Sequence, residues 1–273
     1  MTLTGNPATS VDRPAGLAPM YAATRARLSL VAALFAVAAL GWAWATREMR
    51  GMDAGPWTGL GSLGWFLGVW IVMMAAMMFP SVAPTVALYS RLMKERAPLS
   101  PWLFAGGYLV VWAAAGLLAY VIGVGATHVF GDALLWGNGG RAIAGSTLIV
   151  AAVYELTPLK NVCLGRCRSP LGALLGSWRD GPAGAVRMGV RNGGWCLGCC
   201  WALMASLFAL GVMSVSWMAV VAGLIAIEKT LPWRHVTVAT AAVLLTVGVL
   251  VLAAPDALPA LTIPSGNDMS GMG

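Results

Sequence analysis

The sequence predicts an all-α fold: a polytopic bundle of about seven transmembrane helices, with short interfacial helices in the loop 158–194. Composition is the first reason, because the 273 residues are 59% hydrophobic and 10% charged, whereas roughly 25% of a soluble domain is charged. The mean hydropathy of +0.79 agrees with this. The second reason is that apolar runs of about 17 to 25 residues recur along the chain, and such runs match the length of a helix across a bilayer.

The apolar runs divide the chain into a membrane domain and two tails. We expect residues 1–27 to form a disordered cytoplasmic tail, residues 28–254 a transmembrane helical domain, and residues 255–273 a flexible external tail. The spans are expected at residues 28–45, 64–88, 101–124, 140–157, 195–212, 215–232 and 236–253. A hairpin near 211–216 is needed to separate the fifth span from the sixth, and one undivided span is the alternative.

The segments 171–178 and 183–190 have a different pattern. Each is short and amphipathic with basic flanks, which is typical of a helix that lies on a membrane surface. Both fall in the loop 158–194, so we expect two interfacial helices on the inner leaflet.

Basic residues set the expected orientation of the bundle. In this arrangement 14 of the 17 lysines and arginines lie on the side of the N-terminus, which predicts a cytoplasmic N-terminus and an external C-terminus. We therefore expect a multi-pass protein of a bacterial-type inner (plasma) membrane, with the lipid bilayer as partner. The net charge of +7 is spread over four loops, which suits anionic lipid and argues against nucleic-acid binding. The cysteines face the reducing side, where structural disulfides are not expected.

The stretch 195–201, Trp-Cys-Leu-Gly-Cys-Cys-Trp, contains three of the five cysteines. Cys196, Cys199 and Cys200 stand at i, i+3 and i+4, so a helix places their thiols on one face. Three thiols on one turn predict soft-metal or redox chemistry, and a tetrahedral site would need a fourth donor from elsewhere. The alternative is that small buried cysteines pack against the flanking tryptophans.

A methionine stripe lies in the second predicted span. Met73, Met74, Met77 and Met78 recur at helical spacing over two turns, just before Pro80, which frees backbone carbonyls. Thioethers at this spacing predict a path for a soft metal ion. Flexible filling of gaps between helices is the alternative.

A second cysteine pair precedes the main cluster. Cys163 and Cys167 are four residues apart, so a helical turn would place both thiols on one face. The neighbouring Arg166 and Arg168 favour thiolate, which is the form that binds metal. The spacing is looser than that of a zinc finger, so we treat the pair as a candidate extension of the site.

Two glutamates stand at the inner ends of predicted spans. Glu155 ends the fourth span and Glu228 the sixth, and each precedes a lysine and a proline. A carboxylate inside a bilayer costs roughly 2.5–3.5 kcal/mol, so such a residue has a partner or a function. A metal-site role and a simple pairing of Glu155 with Lys160 or Arg166 remain equal alternatives.

The expected topology brings these features to one level of the membrane. The inner end of the methionine stripe, the cysteine cluster and both glutamates all fall in the inner half of the bilayer. This coincidence predicts one composite metal site, with the glutamates orienting the ligands or accepting their protons.

Together these segments resemble a known family, the predicted metal-binding integral membrane proteins catalogued as a domain of unknown function, DUF2182. The resemblance covers roughly residues 48–232 and is carried by segments 73–81, 155–170, 196–204 and 228–229. It implies a metal-binding membrane protein and leaves the reaction and the substrate open. Members often have a histidine just before the cysteine cluster, and Asn192 holds that place here.

Soft sulfur donors favour Cu(I) as the bound metal ion, with Zn²⁺ second. The sequence therefore predicts a membrane protein that imports, relays or stores a soft metal, with a metallochaperone or a membrane complex as partner. No catalytic residue is assigned, but a membrane metalloenzyme or thiol oxidoreductase subunit is one alternative function, and a structural or assembly subunit is another. The chain shows neither a Walker motif nor an aspartyl-phosphate motif, which argues against ATP-driven pumping.

Overall fold

A computed structural model describes residues 17–48, 61–93, 99–131, 139–176, 178–210, 215–231 and 233–253. Within these ranges the regular structure is helical and no strand is present, which confirms the all-α class. The helices are α1 (Leu17–Glu48), α2 (Leu63–Leu92), α3 (Ser100–Phe130), α4 (Arg141–Glu155), α5 (Pro158–Arg168), α6 (Pro170–Leu175), α7 (Gly181–Leu210), α8 (Val215–Thr230) and α9 (Arg234–Ala253).

Four of these helices are long and apolar enough to cross a membrane. They are α1 from Leu28 onwards, α2, α3 and α9, and a fifth span results if α4 and α5, bent by 69° at their junction, are taken together. These helices are consistent with a multi-pass membrane protein. The number seven stays a prediction, because α8 has only 16 residues and the first half of α7 carries Arg187 and Arg191.

Some helix ends differ from the boundaries expected from the sequence. Helix α1 begins at Leu17, within the segment expected to be a tail, while residues 1–16 and 254–273 lie outside the described residues. Helix α7 is described as far as Leu210 and α8 from Val215 onwards, and the expected hairpin at 211–216 falls largely between them. Residues 211–214 are themselves outside the described part.

The segment expected to be a loop, 158–194, is largely helical. Thr157 caps α5 by accepting a hydrogen bond from the Lys160 backbone N–H at 3.3 Å, and Pro158 occupies its first turn. The expected interfacial helix at 171–178 corresponds to the shorter α6. The expectation of a separate helix at 183–190 is wrong, because these residues form the first turns of α7, continuous with the cysteine cluster.

Helix α7 is the centre of the bundle, and it packs against α3, α4, α5 and α8. Glycines allow its close approach to α3. A Cβ at Gly189 would overlap the Phe104 carbonyl, and one at Gly193 would lie 3.0 Å from the Tyr108 carbonyl oxygen. Small residues of this kind let membrane helices pack backbone to backbone. This close packing offsets the low helix propensity of glycine and keeps α7 continuous across Gly193 and Gly194.

Helix α2 also packs against α3. It runs unbroken through Pro80 and Pro84, and its buried face includes all four methionines of the stripe. The indole of Trp70 donates a hydrogen bond to the Trp112 carbonyl of α3 at 2.8 Å. The four methionines of the stripe therefore face other helices.

We expect Gly107→Ala to lower the melting temperature of the detergent-purified protein. An added Cβ at this position on α3 would overlap the Val186 carbonyl of α7, and overpacking of this kind costs about 1–3 kcal/mol. Gly106→Ala is the matched control, because a Cβ there meets nothing within 4 Å and gains the same helix propensity. Equal melting temperatures for the two variants would contradict the close α3–α7 packing.

Candidate metal centre

The five cysteines lie on two helices that pack against each other. Cys163 and Cys167 are on α5, and Cys196, Cys199 and Cys200 are on α7. Four are buried, while Cys167 is half-buried, and all five are free thiols. The two sequence motifs therefore meet in one place, with Cys167 as their more accessible member.

Three thiols form a compact cluster across the α5–α7 contact. The sulfurs of Cys167, Cys196 and Cys199 all lie within 4.8 Å of one another, and those of Cys167 and Cys199 are 3.6 Å apart. A metal–sulfur bond of about 2.3 Å places the sulfurs of a three-coordinate ion about 4.0 Å apart. The cluster therefore has the size and the donor chemistry for one soft metal ion.

Cys196 has further sulfur neighbours. Its Sγ lies 4.0 Å from the Met78 Sδ of α2 and 4.0 Å from the Cys200 Sγ one turn along α7. Met78 is thus the methionine of the stripe whose sulfur lies near a cysteine sulfur. Met73, Met74 and Met77 are buried on the same helix, and the described residues show no contact of theirs with a cysteine sulfur.

Two polar side chains also converge on Cys196. The Tyr108 hydroxyl lies 2.9 Å from its Sγ, and the Lys229 ammonium donates to it at 3.1 Å. Lys229 also donates to the Ser81 Oγ at 3.1 Å and lies 3.8 Å from the Met78 Sδ. An ammonium in this place attracts an anionic sulfur, so the pocket is suited to a thiolate.

Sequence reasoning did not single out Tyr108 or Lys229 as members of the site. Tyr108 looks like one more aromatic residue of an apolar span, and its position opposite Cys196 depends on the packing of α3 on α7. Lys229 did stand out in sequence beside Glu228. A lysine at the end of an apolar segment was the signal that could have marked it as a member of the site.

Cys163 lies outside the three-thiol cluster. It is buried on α5, where a Cβ added to Gly198 of α7 would come within 2.8 Å of its sulfur. Tyr154 of α4 donates a hydrogen bond to the Gly198 carbonyl at this point. Cys163 therefore lies in the contact between helices.

The two glutamates meet on one lysine. Lys160 donates to an Oε2 of Glu155 and, at 2.7 Å, to an Oε2 of Glu228. The exposed fractions of the three residues are 1% for Glu155, 0% for Lys160 and 2% for Glu228. The pairing of Glu155 with Lys160 is thus present, and it includes Glu228 as a second carboxylate. The remaining oxygen of each carboxylate is buried without a hydrogen-bond partner among the described residues.

Arg168 links this ion triad to the cysteines. Its guanidinium donates hydrogen bonds to the carbonyls of Glu228 and, at 2.8 Å, of Leu231, at the C-terminal end of α8. These are carbonyls that a helix end leaves without an intrahelical partner. Because Arg168 follows Cys167 directly, the bonds hold the end of α5 against α8 and fix the half-buried thiol near α7.

The comparison with protein families gives a match that includes all of these residues. A family described as PpoB2, copper chaperone, matches residues 67–252, which extend from α2 to α9. The chain belongs to this family. A search of curated proteins and a search of solved structures gave no match.

Family membership and the three-thiol cluster together indicate copper handling. The match runs further towards the C-terminus than the resemblance noted from the motifs, because it includes α9. It supports copper as the metal and gives no support to zinc as a second choice.

Lys160→Met is expected to destabilise the protein by about 3–5 kcal/mol, because loss of one partner leaves uncompensated charge in a buried ion pair. Unfolding in mixed micelles at increasing dodecyl sulfate measures the effect. The triple variant Glu155→Gln/Lys160→Met/Glu228→Gln removes all three charges and should recover most of the loss. Arg187→Met, on the exposed face of α7, is the control. A Lys160→Met variant as stable as this control would refute the structural role of the triad.

Proposed function

We propose that this protein is a membrane-embedded copper chaperone that holds Cu(I) on the thiols of Cys167, Cys196 and Cys199. The observation that carries the proposal is the approach of these three sulfurs to within 4.8 Å of one another. Thiolates select a soft monovalent ion such as Cu(I) over Mg²⁺, Ca²⁺ or Mn²⁺. Membership of a copper chaperone family supports the same ion.

The difference in burial among the thiols supports one point of access to the cluster. Cys167 is half-buried whereas Cys196 and Cys199 are buried, so Cys167 is where a donor or acceptor protein reaches the cluster. Ligand exchange at an accessible thiol lets Cu(I) pass between two proteins while it stays bound to at least one sulfur throughout. The partner is then a soluble metallochaperone or a copper-receiving membrane complex on the side of Cys167.

The buried methionines provide the path on the other side of the cluster. Met73, Met74 and Met77 continue along α2 from Met78, which is itself 4.0 Å from the Cys196 sulfur. Thioethers bind Cu(I) without carrying charge, so an ion held by them is easily passed on. We propose that Cu(I) steps along this stripe between the outer side and the cysteines.

Glu155 and Glu228 act on the site indirectly in this proposal. Both are held by Lys160. The backbone carbonyl of Glu228 also accepts a hydrogen bond from Arg168, the neighbour of Cys167. They therefore position α5 and its thiol. Outer partners of this kind typically change metal affinity by about 10–100-fold.

We expect the protein to lie in an inner (plasma) membrane with its N-terminus in the cytoplasm and Gly273 outside, since 14 of the 17 basic residues lie on one side of the expected spans. Reporters of cytoplasmic and external location, fused at each end, measure this directly. A cytoplasmic reporter signal at the C-terminus would require an even number of spans and would contradict the arrangement.

Cys199→Ser is expected to weaken Cu(I) binding by at least about 100-fold, because losing a ligand costs no less than losing an outer partner. Competition with a coloured Cu(I) chelator, under reducing conditions in detergent, measures the affinity. Cys163→Ser is the matched control, since that buried cysteine of α5 lies outside the three-thiol cluster. Equal affinities for the two variants would refute the proposed ligand set.

A further inference from the structure

We infer that the sulfur cluster binds two Cu(I) ions at once, with a second site on Met78, Cys196 and Cys200. Cys196 is shared between this site and the three-thiol cluster of Cys167, Cys196 and Cys199. The inference rests on the proposed copper-handling function and extends it to the number of ions.

The distances around Cys196 divide its sulfur neighbours into two groups. One group is the three-thiol cluster, whose sulfurs lie within 4.8 Å of one another. The other consists of the Met78 Sδ and the Cys200 Sγ, each 4.0 Å from the Cys196 Sγ. Both distances match the roughly 4.0 Å between two sulfurs on one three-coordinate ion with bonds of about 2.3 Å. Because neither Met78 nor Cys200 belongs to the first cluster, a second set of donors remains available.

Two of the three sulfurs of the second site already lie close to a cation. The Lys229 ammonium lies 3.1 Å from the Cys196 Sγ and 3.8 Å from the Met78 Sδ, between helices α2 and α7. Met78 and Cys200 are both buried and Lys229 is half-buried, so the sulfurs and the Ser81 Oγ share in stabilising this charge. When Cu(I) enters the second site, the ammonium moves aside and keeps its bond to the Ser81 Oγ, now 3.1 Å long.

The charges balance for a second ion. One Cu(I) on three thiolates, beside the Lys229 ammonium, leaves a net charge of minus one. The second Cu(I) binds as the Cys200 thiol releases its proton to the surrounding water, so a sulfur–hydrogen bond is exchanged for a sulfur–copper bond and the net charge of the site does not change. No oxidation or reduction takes place. The shared Cys196 thiolate uses a second lone pair to bridge the two ions.

Two adjacent sites with a shared thiolate allow an ion to move between them by exchanging one ligand at a time. The second site receives Cu(I) from the methionine stripe, since Met78 ends that stripe. The three-thiol cluster then presents it at the half-buried Cys167. The arrangement links a buried thioether path to an accessible thiol.

The test is the number of copper ions bound by the full-length protein. Detergent-purified, fully reduced protein is loaded anaerobically with Cu(I) supplied as its acetonitrile complex, and excess metal is removed by desalting. Elemental mass spectrometry of copper, together with the protein concentration, then gives the number of copper ions per protein molecule. We expect two ions for the wild type and for Cys163→Ser, and one ion for Met78→Leu/Cys200→Ser.

The variants are chosen to keep the fold. Leucine replaces the volume of methionine, and a serine hydroxyl can donate to the Cys196 carbonyl as the Cys200 thiol does at 2.9 Å. An unchanged melting temperature confirms that they are folded. X-ray absorption at the copper edge supplies a second readout, because a copper–copper vector is expected in the loaded wild type and not in the double variant.

Each outcome has one meaning. A single ion in the wild type, lost in Cys199→Ser, would overturn the second site and leave the proposed function standing. No bound copper in the wild type would overturn both. Two ions in both the wild type and Met78→Leu/Cys200→Ser would show that the second ion binds elsewhere and would also overturn the inference.

Discussion

The arrangement of the site depends on one buried ion triad. Lys160 holds the carboxylates of Glu155 and Glu228, and all three side chains are almost fully removed from solvent. Charges in such surroundings are tolerated only in the company of their partners, so the ends of α4 and α8 cannot separate from α5 without a large energetic cost. The triad also helps to position two further residues: Lys229, which follows Glu228 in the sequence, and Arg168, which donates to the Glu228 carbonyl. The triad thus fixes the helices that carry the half-buried thiol of Cys167 and the half-buried ammonium of Lys229.

A second constraint is the close packing of α3 on α7. Glycines on both helices bring the backbones together, and the Tyr108 hydroxyl comes within 2.9 Å of the Cys196 sulfur. Helix α2 adds Met78 and Ser81, and α8 adds Lys229. The surroundings of Cys196 are therefore built by helices that are distant in the sequence. This explains why one thiol among five has so many neighbours, and why it is the natural bridge between two groups of sulfurs.

Much of the site could be predicted from residue types and helical spacing. The soft donors in the second predicted span and in the cysteine segment were recognisable because four methionines within 73–78 and three cysteines within 196–200 recur at helical spacing. Helical spacing alone does not choose among Met73, Met74, Met77 and Met78, because all four are buried. Only the tertiary structure selects Met78, by bringing its sulfur within 4.0 Å of the Cys196 sulfur of α7. The same limit applies to Cys163, which shares a helical face with Cys167 yet packs against Gly198.

The sequence by itself determined the all-helical class, the apolar spans and the donor chemistry, since composition and local spacing carry that information. Tertiary structure decided how the helices are joined and which side chains meet. It made 183–190 part of α7, because Gly189 and Gly193 gain close packing against α3 that outweighs the low helix propensity of glycine. It paired Glu155 and Glu228 with Lys160, and it brought the Lys229 ammonium into contact with the Cys196 sulfur. Charged groups shielded from water pair with whichever partner the packed helices bring within reach.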